Sequence, residues 1–223
     1  MKKVLITGGA TGIGKATAQL FLDNGYDVYI TYNKTLPDFE GVTAIKCDLS
    51  NIEDIKNLFS NFNSLDVLVN NAGVSIIKMI NDITEEDYNY LMDVNSKAVY
   101  FCSKEAVSLM VKNHSGAIIN ISSMWGEVGA SCETLYSMSK AGVIGLTKAL
   151  AKELAPSGVT VNCVSPGIID TRMNAEFTKE ELAEEVPLER LGEPLDIAKA
   201  VLFFAQNNYI TGQDLSVSGG III

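Results

Sequence analysis

The sequence predicts a doubly wound α/β fold, one parallel sheet of about seven strands with helices on both faces, and three observations carry that expectation. Short apolar runs alternate with longer amphipathic stretches along the whole chain. Several of those runs, such as Val4-Leu5-Ile6, are continuously apolar, as strands buried on both faces require. A glycine-rich turn, Thr7-Gly8-Gly9-Ala10-Thr11-Gly12-Ile13-Gly14, joins the first run to the first amphipathic stretch.

Taken in order, the strands are expected at Lys3–Thr7, Asp27–Tyr32, Val42–Cys47, Val67–Asn70, Ala117–Ser122, Thr160–Ser165 and Leu215–Val217. The helices are expected at Ile13–Asn24, Asn51–Phe62, Thr84–Lys112, Leu135–Leu154, Lys179–Glu185 and Pro194–Gln206. Within the fourth helix, Val143, Leu146, Leu150 and Leu154 recur at helical spacing. One connection breaks the pattern. Lys34–Gly41 joins the second and third strands, contains Pro37 and shows no helical period. A parallel crossover normally takes a dozen or more residues, usually with a helix. An irregular crossover is therefore expected, with Leu36 or Phe39 packed where a helix would cover the sheet.

The 223 residues suffice for one sizeable core, and no linker or repeat interrupts them, so a single domain over 1–223 is expected. A net charge of −10 argues against nucleic acid as a partner. The single histidine, His114, rules out a zinc site built on two imidazoles, and its polar setting suggests a surface loop or helix end. Cys47, Cys102, Cys132 and Cys163 form no C-x-x-C pair and read as reduced, mostly buried thiols, so no metal site is expected. The first apolar stretch is too short for a signal peptide, and the longest later one, Ala200–Ala205, is far short of the roughly 20 residues that span a bilayer. A cytoplasmic location without membrane partners is the expectation.

Glycines at 8, 12 and 14 let the backbone turn sharply at the mouth of a helix, whose free N–H groups and positive dipole end suit a phosphate. A tight turn serving only helix–strand packing is the plainer alternative. Tyr136 and Lys140, four apart, share one helix face. An ammonium beside a phenol favours the phenolate and makes the phenol a usable acid or base near neutrality, although a surface tyrosine–lysine pair has the same spacing. Ser123, thirteen residues before Tyr136, ends a strand.

Together these motifs resemble the short-chain dehydrogenase/reductase family. Thr7–Gly14 is similar to its T-G-x-x-x-G-x-G, Asn70-Asn71-Ala72-Gly73 to its N-N-A-G, Asn95 to its helix asparagine, Ser123 to its strand-end serine, Tyr136–Lys140 to its Y-x-x-x-K, and Pro166-Gly167 to the P-G after the sixth strand. The motifs follow the family order over nearly the whole chain, and the resemblance implies a Rossmann-type sheet. It implies that Tyr136 protonates a carbonyl oxygen while hydride arrives from a nicotinamide. Lys140 would lower the tyrosine pKa and hold the nicotinamide ribose, Ser123 would bond to the same substrate oxygen, and Asn95 would anchor a water feeding protons to Lys140. Ser122 would turn into the structure. The resemblance assigns Gly8, Thr11, Gly12, Ile13, Gly14, Asn33, Lys34, Asp48, Leu49, Asn71, Ala72, Gly73, Tyr136, Lys140, Pro166, Gly167, Ile168 and Thr171 to the cofactor; a helix N-cap is the alternative for Thr171. The second strand ends Thr31-Tyr32-Asn33-Lys34, with no acid to bond a ribose 2′-hydroxyl, and Lys34 or Lys15 suits a 2′-phosphate, so NADPH is favoured over NADH.

Pro187–Pro194 and Ile210–Gln213 resemble 3-oxoacyl-acyl-carrier-protein reductases most closely, which implies a ketone substrate, a 3-oxoacyl thioester above all, and fatty acid biosynthesis. The acidic body and the few cations in 111–116 and 154–158 work against docking an acidic carrier. Trp125–Glu133 departs from the reductase pattern and is similar to relatives proposed to reduce a ketone modification on elongation factor P. Trp125 is expected either to shape the pocket or to pack in the core, and Glu133 to face a cationic substrate or solvent. The segment 168–190 would form a lid, with Glu176, Glu180, Glu181, Glu184 and Glu185 on a solvated face. A homotetramer is implied, with Ile221–Ile223 buried against a partner. A dinucleotide-binding regulator without turnover is the competing class; Ser123, Tyr136 and Lys140 together argue against it.

Overall fold

The computed structural model describes residues 1–171 and 178–223. Seven strands form one sheet: β1 (Lys3–Ile6), β2 (Asp27–Tyr32), β3 (Thr43–Lys46), β4 (Val67–Asn70), β5 (Gly116–Ile121), β6 (Val159–Pro166) and β7 (Asp214–Val217). All pairings are parallel, in the order β3-β2-β1-β4-β5-β6-β7. The chain runs outward from β1 in one direction and then from β4 in the other. The C-terminal ends of β1 and β4 therefore flank the crevice where open sheets of this kind take ligands.

Alternation along the strands divides the core in two. Val4 and Ile6 face one side of the sheet and pack with Phe21 of α1 (Gly12–Asp23) and with Ile197, Val201 and Phe204 of α8 (Pro194–Gln206). Leu5 faces the other side, against α2 (Ile52–Phe59), α4 (Ala98–Met110) and α6 (Thr134–Leu154). Each fully buried Val, Leu or Ile contributes about 1.5–3 kcal/mol, so the apolar runs hold the sheet between its two helical layers. The remaining helices are α3 (Glu85–Met92), α5 (Met124–Val128) and α7 (Lys179–Glu184). Among the described residues no helix is long and apolar enough to cross a membrane, and no group of side chains could hold a metal ion.

The structure corrects the sequence reading at three places. The helix expected over Thr84–Lys112 is three segments: α3, a π-helical turn at Asp93–Lys97, and α4 continuing into a 3-10 turn at Val111–Asn113. The extra residue of a π turn changes which side chain points inward, and the one buried within it is Asn95. Helix α5 was not foreseen; its five residues are capped by the Ser123 hydroxyl, which accepts from the Trp125 N–H at 3.2 Å. The crossover at Lys34–Gly41 is irregular as expected, but only Phe39 packs down, against the layer containing α1, with the Lys15 ammonium 5.6 Å from its ring; Leu36 is 67% exposed. The C-terminal residues Ile221 and Ile222 are partly buried against the chain's own Met124, Ile168 and Val186, and Ile223 is exposed.

Phe39 thus takes part of a missing helix's role. Phe39→Ala is expected to cost about 1–3 kcal/mol, less than a full core truncation because the ring is only partly buried, whereas Leu36→Ala should stay within about 0.5 kcal/mol. Urea denaturation of the two variants checks the contrast.

His114 sits at a helix end in the left-handed region (φ 47°). Cys47, Cys102 and Cys163 are buried free thiols, and Cys132 is half-buried.

Candidate active site

The floor of the crevice is a set of hydrogen bonds between the ends of β1 and β4. The Thr7 hydroxyl accepts from the N–H groups of Asn71 (3.0 Å) and Ala72 (3.1 Å). The Asn71 amide donates back to the carbonyls of Thr7 (2.9 Å) and Gly8 (3.1 Å). Thr31, at the end of β2, accepts from the Gly8 N–H at 3.0 Å. Asn71 therefore spends its side-chain donor on bracing the glycine turn. The sequence placed Thr7 in the glycine-turn motif and Thr31 at the end of the second strand, but not their bracing hydroxyls, which a threonine at a strand end beside glycines could have signalled.

Gly8 and Gly12 have φ of +64° and +54°. A Cβ on Gly14 would lie 2.6 Å from the Asn71 Nδ2 and closer still to the Gly8 carbonyl oxygen. A Cβ on Gly12 would come 3.6 Å from the Thr171 methyl, so that loop faces the turn. Thr11, the N-cap of α1, makes no side-chain capping bond, and the first turn carries no acid. The helix end therefore keeps its positive dipole uncompensated.

The strand-end motif beside it is just as close-fitting. A Cβ on Gly73 would meet the Lys140 Nζ at 3.3 Å and the Asn95 Oδ1 at 3.4 Å. Asn95 is wholly buried; its carbonyl oxygen accepts from the Val74 N–H (2.8 Å), and its amide donates to the Val74 carbonyl (2.8 Å) and the Ser139 hydroxyl (3.2 Å). Ser139 in turn donates to the Tyr136 carbonyl at 2.7 Å. The π turn thus ties β4's following loop to α6 at the level of Tyr136.

Tyr136 and Lys140 are both buried, and the ammonium lies 5.7 Å from the phenol ring centroid. Lys140 donates to the Ile121 carbonyl at 2.9 Å. Ser122 turns inward and donates to the Lys140 carbonyl at 2.9 Å. Burial lowers the Lys140 pKa to about 8. Burial also dominates Tyr136, pushing it up to about 12; a hydrogen bond with Ser123 pulls down and the charge of Glu133 pushes up. The lowering of the phenol that Lys140 was expected to supply does not act here: burial sets the shift, and the phenol holds its proton.

The remaining assigned residues are dispersed. Pro166 closes β6. Gly167 lies so close to β7's end that a Cβ would come 2.6 Å from the Ser218 Cα. Ile168 is buried against Met124 and Val186. Leu49 is a core residue. Asp48 is exposed, its carboxylate accepting from the Ser50 N–H and hydroxyl at 3.0 and 2.7 Å. Asn33 and Lys34 are exposed at the start of the short crossover, and Lys15 is paired with Asp38 at 2.7 Å. Trp125 is half-buried and packs against both the Leu91–Leu135–Tyr136 cluster and the Met124–Ile168–Val186 cluster. Of the acidic residues assigned to the lid, Glu176 lies outside the described residues, while Glu180 and Glu181 fall in the first turn of α7.

Residues 8–222 match the family described as enoyl-(acyl carrier protein) reductase. The chain belongs to the short-chain dehydrogenase/reductase family. It is 40% identical to an uncharacterized oxidoreductase of Bacillus subtilis, YmfI, over 98% of each chain. It is 38% identical to the 3-oxoacyl-[acyl-carrier-protein] reductase FabG of Staphylococcus aureus, over 99% of this chain and 98% of the relative. Among solved structures it superposes on ElxO with NADP bound at a TM-score of 0.91, with 38% identity and coverage of 99% of this chain and 98% of that one. A variant of ElxO with NADPH bound gives the same TM-score at 37% identity. As a short-chain dehydrogenase/reductase the protein is an oxidoreductase built on the Rossmann-type sheet.

Proposed function

We propose that this short-chain dehydrogenase/reductase is an NADPH-dependent carbonyl reductase in which Ser123, Tyr136 and Lys140 act on a ketone. The observation that carries the reading is the meeting of a buried, protonated phenol with a serine hydroxyl and a buried amine, next to a glycine turn shaped for a phosphate. The dinucleotide fits the residues present. The uncapped end of α1 and Gly8, Gly12 and Gly14 would receive its pyrophosphate, with Thr171 opposite. Gly73, lacking a side chain, lets the backbone lie close to Lys140 and Asn95 without crowding the amine that would hold the nicotinamide ribose. Asn33 and Lys34, with no acid at the end of β2, favour the 2′-phosphate. NADP in the ElxO site supports the same choice.

When bound, NADPH supplies a hydride to the carbonyl carbon. Ser123 donates a hydrogen bond to the carbonyl oxygen and stabilises the charge that develops there. Tyr136 transfers its proton to that oxygen, so the ketone becomes an alcohol and the phenol a phenolate. Lys140, charged below about pH 8, stabilises the phenolate and passes it a proton. Asn95 is fixed at both polar ends and orients the group of atoms around Lys140. The FabG relatives make 3-oxoacyl thioesters the first substrate class, and the assembly is read as a homotetramer. A small ketone, free or attached to another protein, is the second reading; it is favoured by the carboxylate of Glu133 at the mouth, which opposes an acidic carrier.

Fluorescence titration separates the cofactors. NADPH is expected to bind roughly tenfold or more tightly than NADH, as a charge-assisted contact to one phosphate provides. Tighter NADH binding would overturn the reading of Asn33 and Lys34.

A further inference from the structure

Three successive residues at the end of β5 each make one polar bond to α6. The Ser122 hydroxyl donates to the Lys140 carbonyl, and the Ile121 carbonyl accepts from the Lys140 ammonium, both at 2.9 Å. The Asn120 side-chain amide donates to the Thr147 hydroxyl at 2.8 Å. The first two bonds touch Lys140 itself. The third lies two turns further along the helix, about 10 Å down its axis, and takes no part in the chemistry. Asn120 and Thr147 are nonetheless wholly buried, where a polar pair costs desolvation that two aliphatic side chains would not. What a hydrogen bond adds over an apolar contact is direction: it fixes both the rotation and the axial slide of the helix. Tyr136, Lys140, Val143 and Thr147 share one buried face of α6, so a shift at Thr147 is a shift at the two reacting side chains.

The bond is anchored from behind. The Asn120 carbonyl oxygen accepts from the Asn70 amide at 2.8 Å, and Asn70 also donates to Ser103 of α4 at 3.0 Å. Asn70 ends β4 and leads into Asn71–Gly73, which brace the glycine turn and lie against Lys140. One chain of side chains therefore links the strand that leads to Gly73, the strand that leads to Ser123, and the helix that carries Tyr136 and Lys140.

We propose that Asn120 and Thr147 are positioning residues for the reduction: backed by Asn70, they lock α6 onto the strand ends, so that Tyr136 and Lys140 meet Ser123 and Lys140 stays out of water. The inference rests on the reductase reading of Ser123, Tyr136 and Lys140, and adds to it two residues that touch neither substrate nor cofactor.

The test removes the Thr147 hydroxyl. Thr147→Val keeps the branched shape and loses the acceptor, and Thr147→Ser keeps the acceptor. Thr147→Ala is a second removal that adds no bulk. Two readouts are taken on folded protein. The first is reduction of acetoacetyl-N-acetylcysteamine by NADPH on the acid side of pH 8. In Thr147→Val and Thr147→Ala kcat is expected to fall roughly tenfold or more with KM within about twofold, because displacement of reacting groups lowers turnover rather than binding. The second is the titration of Lys140 in the free enzyme, followed by NMR with lysine labelled at Cε and assigned by the loss of the signal in Lys140→Arg. Burial sets the wild-type midpoint at about 8. Tyr136 on the same helix and Cys163 of β6 are the titratable groups that face Lys140 among the described residues, and burial keeps both protonated. A loosened α6 admits water, so the midpoint is expected to rise by about half a unit or more toward the ordinary lysine value. Thr147→Ser is expected to restore both readouts.

A merely structural bond would lower the melting temperature and leave folded protein unchanged. A Thr147→Val enzyme that keeps the wild-type kcat or the wild-type Lys140 midpoint overturns the proposal, as does a Thr147→Ser enzyme that is no better than Thr147→Val. If the wild type reduces no ketone while the midpoint rises in Thr147→Val and returns in Thr147→Ser, the lock on α6 stands and the reductase reading is the one refuted.

Discussion

Tyr136→Phe is expected to lower ketone reduction by roughly 10²–10⁴-fold, the range that a positioned general acid contributes, while NADPH still binds. The substitution removes one oxygen and leaves the ring in its cluster with Leu91 and Leu135. The argument concerns protons. Burial holds the phenol near pKa 12, so it is protonated at any working pH and suited to donating. Lys140, lowered to about 8, is the group that titrates within reach. It carries its charge below that value and loses it above. The wild-type reduction rate is therefore expected to hold on the acid side and fall as pH rises through about 8. Single-turnover absorbance at the reduced nicotinamide band, across pH and for both proteins, checks both statements. A variant with the full rate would remove Tyr136 from the chemistry.

Gly14→Ala is expected to have the second largest effect. The added methyl would lie 2.6 Å from the Asn71 amide and closer to the Gly8 carbonyl, which are parts of one hydrogen-bonded brace. Neither neighbour can yield alone: moving Asn71 breaks its bonds to Thr7 and Gly8, and moving Gly8 breaks its bond to Thr31. Overpacking of this kind costs about 1–3 kcal/mol, or roughly 2–12 °C in melting temperature for a chain of this size. NADPH affinity should fall by about 100-fold or more, since displaced turn amides no longer point at the phosphates. Thermal melts with and without NADPH separate the effects: the variant melts lower and loses the stabilisation that ligand gives the wild type.

Much of this site was legible before any coordinates, for a physical reason. Glycines at 8, 12 and 14 and the Tyr136–Lys140 pair have requirements that are local in sequence: a sharp turn, one helix face. The sheet was legible too, because strands buried on both faces must be apolar throughout; β2, β4 and α8 begin and end at the expected residues. What escaped notice depends on partners distant in the chain. The π turn at Asp93–Lys97 leaves no trace in the hydrophobic period, and its inward residue is fixed by Val74 and Ser139. The same holds for Asn70, which donates to Ser103 and Asn120 from within an apolar strand. The direction of the Tyr136 shift was misjudged because spacing reveals the neighbouring ammonium but not the depth at which both groups lie. Leu36 and Phe39 were equivalent in sequence, and the position of α1 decides between them.

The crossover at Lys34–Gly41 has a wider consequence. Where a complete helix would shield the sheet, one phenyl ring and a lysine stem suffice. The flank beyond β2 is thus economical in length without disturbing the strands that define the switch point. For an engineer, it is the place to graft a longer segment. Such an insert would extend from a surface already furnished with its own anchor, leaving the pairing of β2 with β3 as the only register to preserve.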